Sequence, residues 1–285
     1  MNFWDARFLW QEPMLASLVG AGLLGYLGFF VVLRRIAFVS AALSQVSGLG
    51  VATAFLIGSL FGVSPHGDTP ILFSPSTWAL LFACAGAALF TLPTRSKRVT
   101  PESVVALAWL VSSALVIVVL SSPRIAQEAH EIGDLLFGNA VVVKREHLVQ
   151  LIVVAGLVFA LHGFLFKDFV FASFDPEAAR SQGLPVRGLD LALHMGLAVA
   201  VAVSTRALGA MPVFAFLVLP AGAALMFSEK LNVVLVLGVG FALVSAALGY
   251  YLSWEFSLPT GPVMVALSAA PWGVAGLKKL AGRSS

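Results

Sequence analysis

Three short stretches of this chain hold the residue types from which chemistry is usually built. Residues 127–134, QEAHEIGD, set Gln127, His130, Glu131 and Asp134 on one helical face by i, i+3 and i+4 spacing. Imidazole beside carboxylate suits a cation or a docked protein, and His66 and Asp68 lie in another loop on the same expected side. The plainer reading is the polar face of a short surface helix. Residues 39–50, VSAALSQVSGLG, align Ser40, Ser44 and Ser47 in one row and Ala41, Gln45 and Gly48 in the next. Small residues so spaced let helices approach closely, which accounts for most of the run without any ligand. Residues 175–185, DPEAARSQGLP, open with Asp175 as a helix N-cap and Pro176 at the first helical position. Glu177, Ala178 and Ala179 continue the helix, and Gly183 and Pro185 stop it, so about two turns are expected.

Common enzyme signatures are absent. The sequence has no GxxxxGK[ST] phosphate loop, no HExxH, no GxSxG and no CxxC. His162 and His194 stand alone in apolar blocks, and such histidines are more often packed and hydrogen-bonded than catalytic. Cys84 is the single cysteine, which excludes an intramolecular disulfide and reads as core.

The elements that must position these residues are membrane helices. Of 285 residues, 59% are hydrophobic and 11% charged, with a mean hydropathy of +0.97; soluble domains carry about 25% charge. Nine apolar blocks, near 13–33, 37–63, 76–93, 103–121, 147–166, 189–206, 208–227, 231–253 and 257–276, are each close to the ~20 residues that cross a bilayer as a helix. Pro212 and Pro220 both fall in the seventh block, so a broken helix is expected there. The chain is thus expected to be an all-α, polytopic protein, one transmembrane domain over residues 1–285.

Lys and Arg set the expected orientation. Arg34, Arg35, Arg95, Lys97, Arg98, Lys167, Arg180, Arg187, Lys230, Lys278, Lys279 and Arg283 fall on one side, against Arg7, Arg124, Lys144, Arg145 and Arg206 on the other. The positive-inside rule then puts the C-terminus in the cytoplasm and the N-terminus outside, as an odd number of spans requires. The net charge of +3 reports topology and gives no sign of nucleic-acid binding. The N-terminal MNFWDARFLWQEP lacks the basic region of a cleaved signal peptide, and its Trp4 and Trp10 suit a membrane interface.

No apolar block carries Asp, Glu, Lys or Arg near its middle. Such residues cost ~2.5 to 3.5 kcal/mol at a helix centre and are retained mainly where ions or protons move. A proton- or sodium-coupled transporter would show at least one, so uphill transport by this chain would draw its energy from a partner ATPase. The 167–190 segment, expected on the cytoplasmic side and holding the short DPEAARS helix, is where such a partner would touch.

Glu177, Ala178, Ala179 and Gly183 resemble the EAA…G coupling loop of bacterial ABC importer permeases. FDPEAARSQGLPVRGLD, ALGAMPVFAFLVLPAGAA (207–224) and LPTGP (258–262) narrow the resemblance to permeases for zinc, manganese and iron ions. RRIAFVSAALSQVSGLGVA (34–52) and DLLFGNAVVV (134–143) fall in that family's order, so the resemblance covers nearly the whole chain. It implies a type II importer in the inner (plasma) membrane of a bacterium. The assembly would hold two permease copies, a cytoplasmic ATPase dimer and an extracytoplasmic substrate-binding protein. Asp175, Glu177, Ala178, Ala179 and Gly183 would form the ATPase contact. No cofactor is implied on this chain; ATP and Mg would sit on the partner.

The family usually has an Asp and, four residues on, a His in the second span, one helical turn apart on a single face. Ala41 and Gln45 stand there in this chain, and Asn139 stands where an acidic residue often follows LFG. These offer neutral oxygens or nothing, a poor set for zinc. Ser40, Ala41, Ser44, Gln45 and Asn139 are the expected pathway residues, and no metal ligands are assigned. Two cargo readings stand: a divalent ion passing a weakly binding pore, or a metal chelate or organic solute. A secondary transporter and a non-transporting scaffold are the other classes, and ATPase association separates both from an importer.

Overall fold

The computed structural model describes residues 7–63, 70–92, 100–125 and 143–281, and every regular element among them is helical. The α-helices are α1 (Arg7–Leu33), α2 (Ala37–Phe61), α3 (Pro75–Thr91), α4 (Pro101–Leu120), α5 (Arg145–Phe174), α6 (Pro176–Ser181), α7 (Val186–Leu208), α8 (Ala210–Phe227), α9 (Leu231–Phe256) and α10 (Thr260–Ala281). Each of the nine apolar blocks coincides with one of them. Among the described residues eight are long and apolar enough to cross a membrane, while α3 has 17 residues. At 1.5 Å per residue α3 is about 26 Å long, a little under the ~30 Å hydrocarbon core.

Two expectations need correction. The seventh block is an unbroken helix, α8; the chain turns instead at Gly209, whose φ is 91°. Pro212 sits in the first turn of α8, where its missing N–H has no intrahelical partner to lose. Pro220 costs one interior hydrogen bond, which the helix accommodates. The fifth block extends past its apolar edge: α5 runs on to Phe174, so residues 167–174 are helix rather than loop. Phe169 and Ala172 in that extension are buried, and the Ser173 hydroxyl donates to the Phe169 carbonyl. It is therefore an amphipathic continuation, joined to the apolar part at Leu165, whose φ of −113° and ψ of 17° leave helical values and kink α5.

The chain divides into two compact units. Unit one comprises residues 1–37, 137–155 and 207–285, and within it α1, α8, α9 and α10 pack on one another. Leu23, Leu24, Leu27 and Phe30 of α1, Phe216 and Leu217 of α8, Tyr250 of α9 and Met264 of α10 fill its interior. The Trp272 indole of α10 donates to the Leu219 carbonyl of α8 at 2.8 Å, a partner for an N–H that lipid could not satisfy. The LPTGP stretch makes the α9–α10 turn: Ser257 caps α9 in the left-handed region, and the Ser253 hydroxyl donates to Leu258 O.

Unit two comprises residues 38–136 and 156–206. Its α2, α3 and α4 meet in a cluster of Val51, Ala52, Phe55, Ala79 and Val116, closed by Ile125. At Gly50 a Cβ would lie 2.4 Å from the Trp78 carbonyl oxygen and 3.0 Å from Ala79 Cα. Only a hydrogen side chain lets α2 lie this close to the α3 backbone.

Candidate functional site

Unit two holds both described parts of the candidate site. The first is α6 with its flanks. The Asp175 carboxylate accepts from the Ala178 N–H at 2.9 Å, the N-cap that the sequence predicts, and Pro176 follows at the first helical position. Glu177 stands in the first turn and Arg180 in the last, each matching the helix dipole. The far end is a complete Schellman closure. Leu184 N–H donates to Ala179 O at 3.1 Å, Gly183 N–H donates to Arg180 O at 3.0 Å, and Gly183 holds φ at 83° between them. Pro185 then prevents the helix from resuming.

So short a helix is marginal in water by itself. Here Ala179 is fully buried and pins one face, while Asp175, Pro176, Glu177 and Arg180 are exposed on the other. Two further features stand beside it. Phe174, immediately before the cap, is 70% exposed, an apolar anchor pointing away from the chain's own interior. A pocket of about 350 Å³ opens past the closure, lined by Arg180, Leu184, Pro185, Val186, Arg187 and Gly188. Phe174 has a sequence signal, an aromatic residue directly before an N-cap; the pocket has none, because it is made by the turn.

The second part is α2. The structure separates the two rows of VSAALSQVSGLG. Ser40, Ser44 and Ser47 are buried against the chain's own helices, and no hydrogen-bond partner reaches Ser44 Oγ among the described residues. Ala41 and Gln45 are partly exposed, with Leu49 and Thr53 continuing the line, whereas Gly48, expected in that row, is buried. Thr53 returns its hydroxyl to Leu49 O at 2.7 Å. The Ala41–Gln45 row is therefore the less buried of the two, and Gln45 carries an amide oxygen and nitrogen there.

The remaining candidates divide cleanly. His130, Glu131, Asp134, Gln127, His66, Asp68 and Asn139 lie outside the described residues. His162 is fully buried and stacks on Phe169 across the α5 kink, with ring centroids 4.3 Å apart. His194 is buried and its Nδ1 lies 2.9 Å from Asp190 O and 3.5 Å from the Asp190 carboxylate. Cys84 is half-buried on α3. Both histidines are thus built into packing, and among the described residues no three His, Cys, Asp or Glu side chains gather around a common point.

Comparison with known proteins adds the following. The profile of the ABC 3 transport family matches residues 7–275. The manganese transport system membrane protein MntC of Listeria innocua is 28% identical over 255 residues, 90% of this chain and 85% of that one. The chelated iron transport system membrane protein YfeD of Yersinia pestis is 27% identical over 259 residues, 91% of this chain and 82% of that one. Among solved structures, PsaBC from Streptococcus pneumoniae in complex with Fab superposes with a TM-score of 0.79 at 20% identity, over 96% of this chain and 94% of that one.

Proposed function

The chain belongs to the ABC 3 transport family, and from that premise we propose that it is the membrane-spanning subunit of an ATP-driven importer whose cargo is a divalent metal ion, manganese or iron before zinc. It is a multi-pass transport subunit of the bacterial inner membrane rather than an enzyme. In this reading ATP and its Mg²⁺ sit on a separate cytoplasmic ATPase dimer. A second copy of the permease completes the pathway, and an extracytoplasmic binding protein delivers the cargo. The C-terminus and α6 lie on the cytoplasmic side, in keeping with the basic excess there.

The observation that carries the reading is α6. A two-turn helix capped at both ends, held by one buried alanine and presenting Phe174, Asp175, Glu177 and Arg180 outward, is built as a rigid knob for another protein. The helices on either side of it, α5 and α7, are both long and apolar enough to span a membrane. A load on the knob is therefore passed directly into the bilayer. ATP-driven closure of a partner would push on α6, and α5 would transmit the displacement through its Leu165 kink.

The cargo reading rests on donor chemistry. Gln45 supplies a neutral, hard oxygen to the partly exposed row of α2, and carbonyl-type oxygens suit manganese better than zinc, which takes nitrogen and sulfur. The name of MntC, a manganese transport protein, points the same way, while that of YfeD, a chelated iron transport protein, bears on a second reading. A second reading, a metal chelate as cargo, is favoured by Ala41: with a methyl group where the family usually has a carboxylate, the row would pass a ligand-wrapped metal without stripping it. Uptake into proteoliposomes holding the permease, its ATPase and its binding protein tests both. Free manganese accumulating only with ATP supports the ion reading. Chelate accumulation alone supports the second, and no ATP-dependent uptake of either contradicts both.

A further inference from the structure

Unit one carries an apolar groove of about 420 Å³ that no described residue fills. Phe227 at the end of α8, Phe241, Val244 and Leu248 of α9, and Leu267 and Val274 of α10 line it. All three helices are membrane-spanning by length and hydropathy, so the groove opens to the acyl region of the bilayer. It differs from the other exposed apolar side chains, such as Leu161 and Phe164 of α5, in being concave and shared by three helices. Phe241 to Leu248 occupy about 10 Å of α9, and Leu267 to Val274 the same length of α10.

Its two ends differ in charge. The Phe227–Phe241 ring contact, with centroids 5.7 Å apart, marks the end near the α8–α9 turn. Exposed Lys230 stands in that turn three residues after Phe227. Lys278 follows Val274 by four residues in sequence. Lys279 and Arg283 follow in sequence, with Glu229 the single acid nearby. Past the Leu248 end, residues 249–262 contain only Glu255 as a charged group. A molecule with a long apolar chain and an anionic head would therefore enter in one direction.

We propose that this groove holds one acyl chain of an anionic phospholipid, whose phosphate lies at the end that carries Lys230. The acyl chain runs between α9 and α10, along Phe241, Val244 and Leu248 on one wall and Val274 and Leu267 on the other. The headgroup sits at the α8–α9 turn, beside exposed Lys230. A basic residue near a membrane surface contributes enough to favour an anionic over a zwitterionic head by about fivefold.

The test reads lipid and not transport, so its failure is distinguishable from failure of the importer reading. The permease is purified from membranes of known phospholipid composition, and the retained lipid is identified by mass spectrometry. The wild type is expected to retain phosphatidylglycerol above its share of the bulk membrane. Ala270→Phe places a ring in the groove from an exposed position and should abolish retention of either lipid class. Lys230→Ala should lower the preference for the anionic lipid about fivefold while leaving acyl retention. Retained lipid that mirrors the bulk membrane, or that survives Ala270→Phe unchanged, overturns the proposal. So does disulfide formation between two copies of a Cys84→Ala, Ala270→Cys variant, which would show that a second chain covers the groove.

Discussion

Helices α6 and α2 carry the two halves of the proposed function, and different forces hold them. α6 is fixed mainly by its own eleven-residue neighbourhood, 175–185, through one carboxylate cap, one Schellman closure and two prolines, with Ala179 its one fully buried residue. α2 has no described cap of that kind; its position comes from the Gly50 approach to α3 and the Val51–Phe55–Ala79–Val116 cluster. A locally fixed element can be damaged without unfolding its surroundings, and it can move as a body under load. A tertiary-packed element cannot: its exposed row is only as well placed as the core behind it.

The largest effect should come from Gly50→Leu. The new side chain meets the Trp78 carbonyl, which is main chain and cannot swing aside. The cost should be about 3 kcal/mol, read as a lowered Tm in detergent, with metal transport and ATPase binding lost together. Gly183→Val comes next. A β-branched residue at φ 83° costs about 1 to 2 kcal/mol, which local unwinding of α6 relieves, so Tm should fall far less than in Gly50→Leu while ATP-driven uptake falls about tenfold. If Gly183→Val lowered Tm as far as Gly50→Leu does, the distinction between local and tertiary fixing would collapse.

Asp175→Ala should cost the α6 cap about 1 kcal/mol and reduce uptake roughly fivefold, whereas Asp175→Asn, which keeps a capping oxygen, should retain most of it. Equal losses in the two variants would mean that charge at the partner surface matters rather than the cap. The smallest and most selective effect belongs to the rows of α2. Gln45→Ala should weaken manganese uptake a few-fold with no change in Tm, while Ser47→Ala, in the buried row, should leave uptake unchanged. The reverse result would put the pathway on the serine row.

This difference also decides how much of the molecule is legible in its sequence. The α6 motif can be read residue by residue, because caps and left-handed glycines act over a few positions. The apolar blocks locate the spanning helices for the same reason. Hydropathy fails at the end of α5, since it marks where a helix leaves lipid and not where it stops; Phe169 and Ala172 keep 167–174 helical by packing. It fails again in α8, where two prolines suggest a break that first-turn placement of Pro212 removes. On α2 the pattern shows two rows but not which is covered. Burial of the serines and exposure of Gln45 depend on neighbours far away in sequence.

The central claim is that ATP hydrolysis on a partner moves cargo through this chain by way of α6. Radioactive manganese uptake into proteoliposomes containing the permease, its ATPase and its binding protein tests it most directly, with wild type and Gly183→Val compared at equal incorporation. The account predicts ATP-dependent accumulation by the wild type and about a tenfold loss in the variant with the ATPase still bound. Accumulation that needs no ATP, or that Gly183→Val leaves intact, would contradict it.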